Sequence, residues 1–273
     1  MIDTMLVLGH MGTGTWGIKV LQMMSRFATI KSCYGHQNIN LIPNGVRVVK
    51  DVNEIIYDNT LNGIVITTPP ETHYELARES LKAGHNIFVE KPMCLTVKEA
   101  QDLIDLAHVN ELKIMVGFIY LYSNEYAKIK RNFRNINNIK AYFMQTEFKH
   151  PIPSIINLGN HFVALALDFY SKNPTDVKLE GNDDNAFISI GFGNKKAEVH
   201  ASRISKSKKR EVIFMEGKKV IYHWDILKMN YEIDNPLLNE CKHFVECLET
   251  DSTPKTNGLM GLKTTKLVTG ELP

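Results

Sequence analysis

The chain has 273 residues, of which 44% are hydrophobic and 23% are charged, and its formal net charge at pH 7 is +2. A chain of this length and composition can bury a substantial core, which excludes extended disorder. The nearly neutral charge argues against a protein that binds nucleic acid and against one that binds a membrane surface. We therefore expect small-molecule partners rather than nucleic acid or lipid.

The cysteines and the apolar segments narrow the expected location and cofactors. Cys33, Cys94, Cys241 and Cys247 show no metal-ligand spacing, and such scattered cysteines fit the reduced thiols of the cytosol. No run approaches the ~18 apolar residues that a membrane span needs, and the N-terminal segment lacks a basic leader. We expect a cytoplasmic protein with no membrane span and no metal site.

Strands and helices alternate over residues 1–120. Short apolar runs predict buried strands, and they lie at residues 5–8, 28–34, 46–51, 62–70, 86–92 and 113–120. Amphipathic segments predict the helices between them. One helix stops at Gly84 as a C-cap, and the next begins with a capping box of Thr96 and Glu99. This order predicts an α/β fold whose N-terminal Rossmann domain, residues 1–120, holds a doubly wound parallel sheet.

The pattern changes in residues 121–273, where most strands follow one another directly. Strands are predicted at residues 139–148, 186–192, 196–202, 210–216 and 218–224, with a hairpin turn at 216–219. Helices are predicted near 125–133, at 157–170 and towards the end of the sequence. Serial strands predict a C-terminal α+β domain with a large, mostly antiparallel open sheet and helices on one face.

A glycine loop follows the first predicted strand. Gly12, Gly14 and Gly17 give the spacing G-x-G-x-x-G, in which glycines allow a tight turn and let the backbone approach a pyrophosphate at a helix N-terminus. The pattern predicts a dinucleotide site. The segment after the second strand, KSCYGHQN, contains no acid for a ribose 2′-hydroxyl, so NAD and NADP both remain open. Lys31 and His36 are candidates to face a 2′-phosphate, or else ordinary surface residues.

Together with ITTPPETH at 66–73 and VEKP at 89–92, the glycine loop gives a chain that resembles the Gfo/Idh/MocA oxidoreductases, the family of glucose–fructose oxidoreductase and inositol dehydrogenase. In that family a Rossmann domain carries NAD(P), and a second domain binds the substrate. The resemblance implies cofactor contacts at Gly12, Gly14, Thr15, Trp16, Gly17, Thr68, Pro69, His73, Glu90 and Lys91. It also implies a homo-oligomer formed through the open face of the C-terminal sheet.

The resemblance further implies the catalytic residues. Lys91 matches the family's lysine beside the nicotinamide, where an ammonium stabilises charge on the substrate oxygen. Its alternative is a solvated lysine at a strand end. The segment INLGNHFVALALDFY matches the family's second-domain signature, so His161 is the expected proton acceptor. Histidine suits that task because the ordinary pKa of its side chain, ~6.5, lies close to working pH. Asn157 stands where the family's aspartate is expected, and we expect it to share a helix face with His161.

These motifs predict an NAD(P)-dependent oxidoreductase that acts on a secondary alcohol or ketone of a sugar. The segments GTGTWG and VGFIYLYSNEY are similar to the WlbA-like 3-dehydrogenases of nucleotide-linked sugars. Asn157 cannot supply the negative charge of an aspartate, so a catalytically weak or inactive dinucleotide-binding regulator is the alternative. A Rossmann-fold methyltransferase is a third interpretation, but it leaves Lys91 without a role.

The basic run SKSKKRE at 205–211 is interpreted as a solvated hairpin loop or as a clamp on a substrate phosphate.

Overall fold

The structure is a computed structural model that describes residues 5–147 and 149–273. The chain divides into two compact units. The first contains the residues up to Gly117 together with Leu237–Gly261, and the second contains Phe118–Pro236 and Leu262–Pro273. The sequence placed a single boundary at residue 120. The structure differs because a late segment of the chain returns to the first unit.

A six-stranded sheet forms the centre of the first unit. Its strands are β1 (Val7–Met11), β2 (Thr29–Tyr34), β3 (Arg47–Val49), β4 (Gly63–Ile66), β5 (Asn86–Glu90) and β6 (Ile114–Gly117). All neighbours in it are parallel, and the order β3-β2-β1-β4-β5-β6 is the order of dinucleotide-binding Rossmann folds. Central strands such as β4 are buried along their whole length because helices cover both faces. The predicted doubly wound sheet is confirmed.

Four helices connect these strands: α1 (Gly17–Met24), α2 (Asn53–Ile56), α3 (His73–Lys82) and α4 (Val97–Val109). Helix α3 ends before Gly84, which has a φ of 88°, and α4 begins with the complete capping box of Thr96 and Glu99. Both predicted helix ends are confirmed. The last predicted strand is shorter than expected, because a 3-10 turn at Ile119–Tyr122 follows it. Apolar periodicity alone does not separate a short buried strand from a buried turn.

The second unit contains a mixed sheet with helices on one side. Its elements are α5 (Asn124–Asn132), β7 (Asn138–Met144), α6 (Asn160–Tyr170), β8 (Asp176–Gly181), β9 (Asn185–Gly191), β10 (Lys196–Ser202), β11 (Lys209–Glu216) and β12 (Lys219–Asp225). The order is β12-β11-β7-β10-β9-β8, and only the β7–β10 pair is parallel. The mostly antiparallel sheet is confirmed. Strand β8 was not predicted because its exposed residues show no apolar pattern, and residue 148 of the predicted strand 139–148 lies outside the described residues.

Residues alternate between the two faces of this second sheet. In β7, Ile139, Ala141 and Phe143 are buried on the side that packs against α6, where the Phe143 and Phe162 ring centroids are 5.9 Å apart. The residues between them, such as Tyr142, are half-buried on the opposite side. The alternation defines a helix-facing side and an open side, and we use these two names below.

The chain ends in two helices, α7 (Pro236–Glu249) and α8 (Gly258–Val268). Phe244 of α7 lies edge-to-face against Phe88 of β5, with ring centroids 5.8 Å apart. The backbone of Thr256 accepts a hydrogen bond from Val116 N at 2.7 Å, so the segment between the helices extends the edge at β6. These contacts explain why Leu237–Gly261 belongs to the first unit. No helix within the described ranges has the length and apolar character that crossing a bilayer requires.

Candidate functional site

The glycine loop joins β1 to α1, and the structural constraints differ from one of its glycines to the next. Gly12 has a φ of 108°, and a Cβ at Gly17 would lie 2.2 Å from the Gly12 carbonyl oxygen. At Gly14 a Cβ would meet only the Gln37 side chain, at 4.0 Å. Gly12 and Gly17 are therefore required by the fold, whereas the space at Gly14 is not filled by the protein itself.

The start of α1 is suited to an anion. No side chain caps this helix N-terminus, and its first turn contains no acidic residue. Backbone N–H groups and the helix dipole at such an end favour a phosphate group. The open space at Gly14 lies in the same loop, so the residues present fit the pyrophosphate of a dinucleotide.

The carboxyl end of β2 carries polar side chains and no acid. His36 Nε2 lies 3.3 Å from the Tyr34 hydroxyl, and Asn38 Nδ2 donates to the Thr13 carbonyl at 2.8 Å. Lys31 lies further back in the strand and forms an ion pair with Asp58 at 2.6 Å. Lys31 is therefore paired with Asp58 and does not lie at the end of the strand. His36 does lie at that end, where a ribose binds in Rossmann folds.

His73 connects two loops of the first unit. It is buried, with Nδ1 2.7 Å from the Pro92 carbonyl oxygen and Nε2 2.8 Å from the Thr68 carbonyl oxygen. Burial lowers its pKa, and the nearby Lys91 charge acts in the same direction. A neutral imidazole donates one hydrogen bond, to one of these two carbonyls. His73 thus links the Thr68-Pro69 loop to Pro92, in the segment after β5.

The end of β5 is linked directly to the glycine loop. Trp16 Nε1 donates a hydrogen bond of 2.6 Å to Glu90 Oε1, and the Lys91 amide donates to Glu90 Oε2 at 3.2 Å. Glu90 is 7% exposed, and burial raises its pKa, while these two donors and the Lys91 charge oppose that shift. The carboxylate therefore holds both the indole of the loop and the start of the Lys91-Pro92 segment.

A second carboxyl group, Glu240 of α7, was not identified from the sequence. It is 0% exposed, and among the described residues neither of its oxygens has a hydrogen-bond partner. Burial and the charge of Glu90 raise the pKa of Glu240 well above its usual value. Of the two carboxyls, Glu240 therefore keeps the proton, since Glu90 has donors that stabilise its charge. The signal in the sequence was a glutamate within the apolar face of a helix.

In the second unit, His161 lies in a cluster of aromatic rings. Its ring centroid is 4.8 Å from that of Tyr120 and 6.2 Å from that of Phe143, and only 7% of the residue is exposed. Asn157 is 8% exposed and precedes α6 in a π-helical turn, Ile155–Gly159. The sequence predicted a continuous α-helix here. Because a π-helical turn is wider than an α-helical one, Asn157 and His161 do not have the i, i+4 spacing of a continuous α-helix. Such turns are frequent at functional sites.

The described residues contain no group of three or more histidine, cysteine or acidic side chains that is arranged to hold a metal ion. All four cysteines are buried thiols. The candidate chemistry of the chain therefore rests on the glycine loop, the end of β5 and the histidine of α6.

Comparison with known proteins finds a family match in the N-terminal part of the chain. Residues 36–118 match the family GFO_IDH_MocA, described as an oxidoreductase family with an NAD-binding Rossmann fold. The match is to the Gfo/Idh/MocA oxidoreductases, the family predicted from the motifs.

Individual relatives agree with this family. An uncharacterised oxidoreductase of Schizosaccharomyces pombe is 38% identical over 154 residues, which cover 50% of this chain and 42% of the relative. The scyllo-inositol 2-dehydrogenase (NAD(+)) of Bacillus subtilis is 25% identical over 249 residues, which cover 75% of this chain and 72% of that enzyme. An oxidoreductase of Streptococcus pneumoniae is matched over 34% of its length. The chain thus spans less than half the length of some curated relatives that it matches.

Solved structures share the fold over nearly the whole chain. The UDP-N-acetylglucosamine 3-dehydrogenase GnnA of Acidithiobacillus ferrooxidans superimposes with a TM-score of 0.84 at 20% identity, covering 98% of this chain and 96% of that one. A scyllo-inositol dehydrogenase of Lactobacillus casei, with bound NAD(H) and scyllo-inositol, gives a TM-score of 0.82 at 16% identity, covering 98% and 96%. At such identities these likenesses establish the fold.

The buried Glu240 carboxyl generates a prediction about stability. Its pKa in the folded chain is raised above the usual 4.5, so the unfolded chain releases this proton at a lower pH than the folded chain does. The wild type therefore loses stability as the pH rises above that value, by up to ~1.4 kcal/mol per pH unit for one group. We expect Glu240→Gln to be more stable than the wild type, with an advantage that grows between pH 5 and pH 8.

The measurement is urea denaturation at a series of pH values. Glu246→Gln is the matched control, because this glutamate lies on the same helix with a side chain that is 51% exposed. The control should follow the wild type at every pH. A stability difference between Glu240→Gln and the wild type that stays constant between pH 5 and pH 8 would contradict the raised pKa of Glu240.

Proposed function

We propose that the protein is an NAD(P)-dependent oxidoreductase that transfers hydride to or from a secondary alcohol or ketone carbon of a sugar. The observation that carries this proposal is the hydrogen bond of 2.6 Å from Trp16 to Glu90. It ties the loop suited to a dinucleotide to the carboxyl end of β5, where Lys91 follows. Ligands of open α/β sheets bind at that edge.

Each residue has a defined task in this proposal. The glycine loop and the N-terminus of α1 hold the pyrophosphate, and the bound dinucleotide supplies the hydride acceptor or donor. Lys91 donates a hydrogen bond to the substrate oxygen and stabilises the negative charge that develops there. His161 accepts or returns the hydroxyl proton, and Asn157 orients the substrate through its amide.

The buried position of His161 supports its role as a proton acceptor. Tyr120 and Phe143 pack near its ring and hold the imidazole in position. A neutral imidazole near pH 7 is the form that accepts a proton from an alcohol.

Both dinucleotides remain candidates for the cofactor. The family is described as NAD-binding, and the end of β2 has no acid to hold a 2′-hydroxyl or to repel a 2′-phosphate. The Tyr34 hydroxyl and the His36 ring at this end are able to donate hydrogen bonds to phosphate oxygens. We propose that the chain accepts NADP(H) as well as NAD(H).

The substrate class is supported by a relative that aligns over 75% of the chain. The Bacillus subtilis protein is by name a scyllo-inositol 2-dehydrogenase, and inositols and sugars both present rings of secondary hydroxyl groups. We propose a sugar substrate, and the motifs GTGTWG and VGFIYLYSNEY favour a nucleotide-linked one.

A second candidate function rests on Asn157. Its amide replaces the carboxylate that the family signature expects, so it adds no negative charge near His161. A chain that binds the dinucleotide tightly but transfers hydride slowly or not at all would act as a regulator. Tight binding of NADH or NADPH without turnover on any of a broad panel of sugars would favour this function.

We also propose a cytoplasmic homo-oligomer. The four buried cysteine thiols fit a reducing compartment. On the open side of the second sheet, the His200 ring lies 5.1 Å from that of Tyr142 and 4.5 Å from that of Phe187. Half-buried aromatic rows of this kind are typical of interfaces between subunits.

Cofactor binding is tested at Gly14. Because the protein leaves open space at this position, Gly14→Ala should fold normally and clash only with a bound pyrophosphate. We expect the Kd for NADH and for NADPH to rise at least about ten-fold, which corresponds to ~1.4 kcal/mol. Fluorescence titration measures both constants, and the melting temperature without cofactor is the control. An unchanged Kd with both dinucleotides would remove the glycine loop from the cofactor site.

Catalysis is tested at Lys91 and His161. Lys91→Ala and His161→Asn should each lower kcat by ~10²–10⁴, with the Kd for the dinucleotide changed much less. The pH profile of His161→Asn should also become flat, because the titrating base is gone. Lys98→Ala and His108→Asn, on the exposed face of α4, are the matched controls. Turnover near the wild-type level in the Lys91 variant would exclude it from the mechanism.

The oligomer is tested by sedimentation velocity. The wild type should sediment as a dimer or larger, and the double variant Tyr142→Glu with Phe187→Glu should sediment as a folded monomer, since buried like charges oppose association. A wild type that is monomeric at micromolar concentration would contradict the proposed interface.

A further inference from the structure

The basic run at 205–211 does not form a uniform solvated loop. Residues 205–208 precede β11, and Lys209 and Arg210 are its first two residues. Successive residues of a strand point to opposite sides. Lys209 lies over the Tyr142 ring on the open side, with its Nζ 5.6 Å from the centroid. Arg210 is therefore directed to the helix-facing side, where Val212 and Phe214 are fully buried.

Arg210 lies in the cluster that surrounds His161. Its guanidinium carbon is 4.3 Å from the centroid of the Phe143 ring, and Phe143 is its direct partner across the β7–β11 pair. Phe143 and Tyr120 are also the rings next to His161. Burial raises the pKa of Tyr120 to about 12, and a hydrogen bond and the charge of Arg210 act against that rise. A permanent positive charge thus shares two aromatic neighbours, Phe143 and Tyr120, with the proposed proton acceptor.

No acidic side chain neutralises this charge within the described residues. None of the ion pairs there involves Arg210, and its Nε is buried without a hydrogen-bond partner. The adjacent acid, Glu211, lies on the open side, 3.6 Å from Lys209 Nζ and 3.0 Å from His223 Nε2. A partly buried guanidinium with an unused donor is costly for a protein, and the two aromatic neighbours offset that cost only in part.

We propose that Arg210 binds an anionic group, a carboxylate or a phosphate, of the hydroxyl-bearing substrate that His161 meets. The inference rests on the proposed function and narrows its substrate class to acidic or phosphorylated sugars. Arginine suits this task because its planar donors match the oxygen pairs of carboxylate and phosphate groups, and it remains charged at any working pH. The anionic group fixes the orientation of the sugar ring before the proton moves.

The test compares three probes that share one ring: glucose, glucuronate and glucose 6-phosphate. Calorimetry measures their binding to the full chain saturated with NADH, so that the glycine loop is already filled and cannot bind the anions. We expect glucuronate or glucose 6-phosphate to bind at least about ten-fold more tightly than glucose, as one charge-assisted hydrogen bond predicts. Which of the two binds more tightly distinguishes a carboxylate site from a phosphate site.

Variants assign the effect to one side chain. Arg210→Gln should abolish the preference for the anionic probe without changing the Kd for NADH, and Arg210→Lys should retain part of it. Lys209→Gln is the matched control, because it removes a neighbouring positive charge from the open side of the same strand. It should leave the preference intact.

Three results would overturn the inference. They are equal affinity of the wild type for neutral and anionic probes, binding of none of the anionic probes, or a preference that Arg210→Gln leaves unchanged. These readouts need no turnover. Failure of the Lys91 and His161 variants to change kcat would therefore reject the proposed function without affecting the evidence for an anion at Arg210.

Discussion

The first unit depends on how closely the backbone at Gly12 approaches the backbone at Thr67. Thr67 N donates to the Met11 carbonyl at 2.7 Å, and its hydroxyl donates to the Gly12 carbonyl at 2.9 Å. A Cβ at Gly12 would lie 2.5 Å from the Thr67 carbonyl carbon, so only glycine permits this contact. The contact fixes the loop that starts α1 and aims the Trp16 indole at Glu90. The contact thereby holds the glycine loop, the Glu90 carboxylate and the Lys91 backbone together.

The sequence predicted the features that local physics determines. Apolar runs separated by amphipathic segments indicated the parallel sheet, because buried strands of such sheets need apolar residues on both faces. The capping box at Thr96 and the glycine at position 84 marked helix ends because both satisfy backbone groups within a few residues. The glycine loop was recognisable for the same reason. Its spacing reflects a steric requirement that Gly12 and Gly17 meet.

The features that could not be predicted from the sequence depend on contacts between distant segments. Glu240 is notable only because α7 packs on the first sheet, some 150 residues after Glu90 in the chain. The strand β8 has an exposed surface and so no apolar period. In the basic run at 205–211, Lys209 and Arg210 lie on opposite sides of the second sheet. The register of β11 with β7 sets Arg210 opposite Phe143. Register follows from pairing across the sheet and cannot be deduced from one strand alone.

The return of Leu237–Gly261 to the first unit has a consequence for biosynthesis. A ribosome translates this segment only after the whole of Phe118–Pro236, a delay on the order of 10 seconds at ordinary elongation rates. Until then the nascent Rossmann sheet lacks Phe244 against Phe88 and Thr256 against Val116. An uncovered sheet edge is a template for association with other chains. The newly made first unit therefore keeps an exposed sheet edge until Leu237–Gly261 has been synthesised.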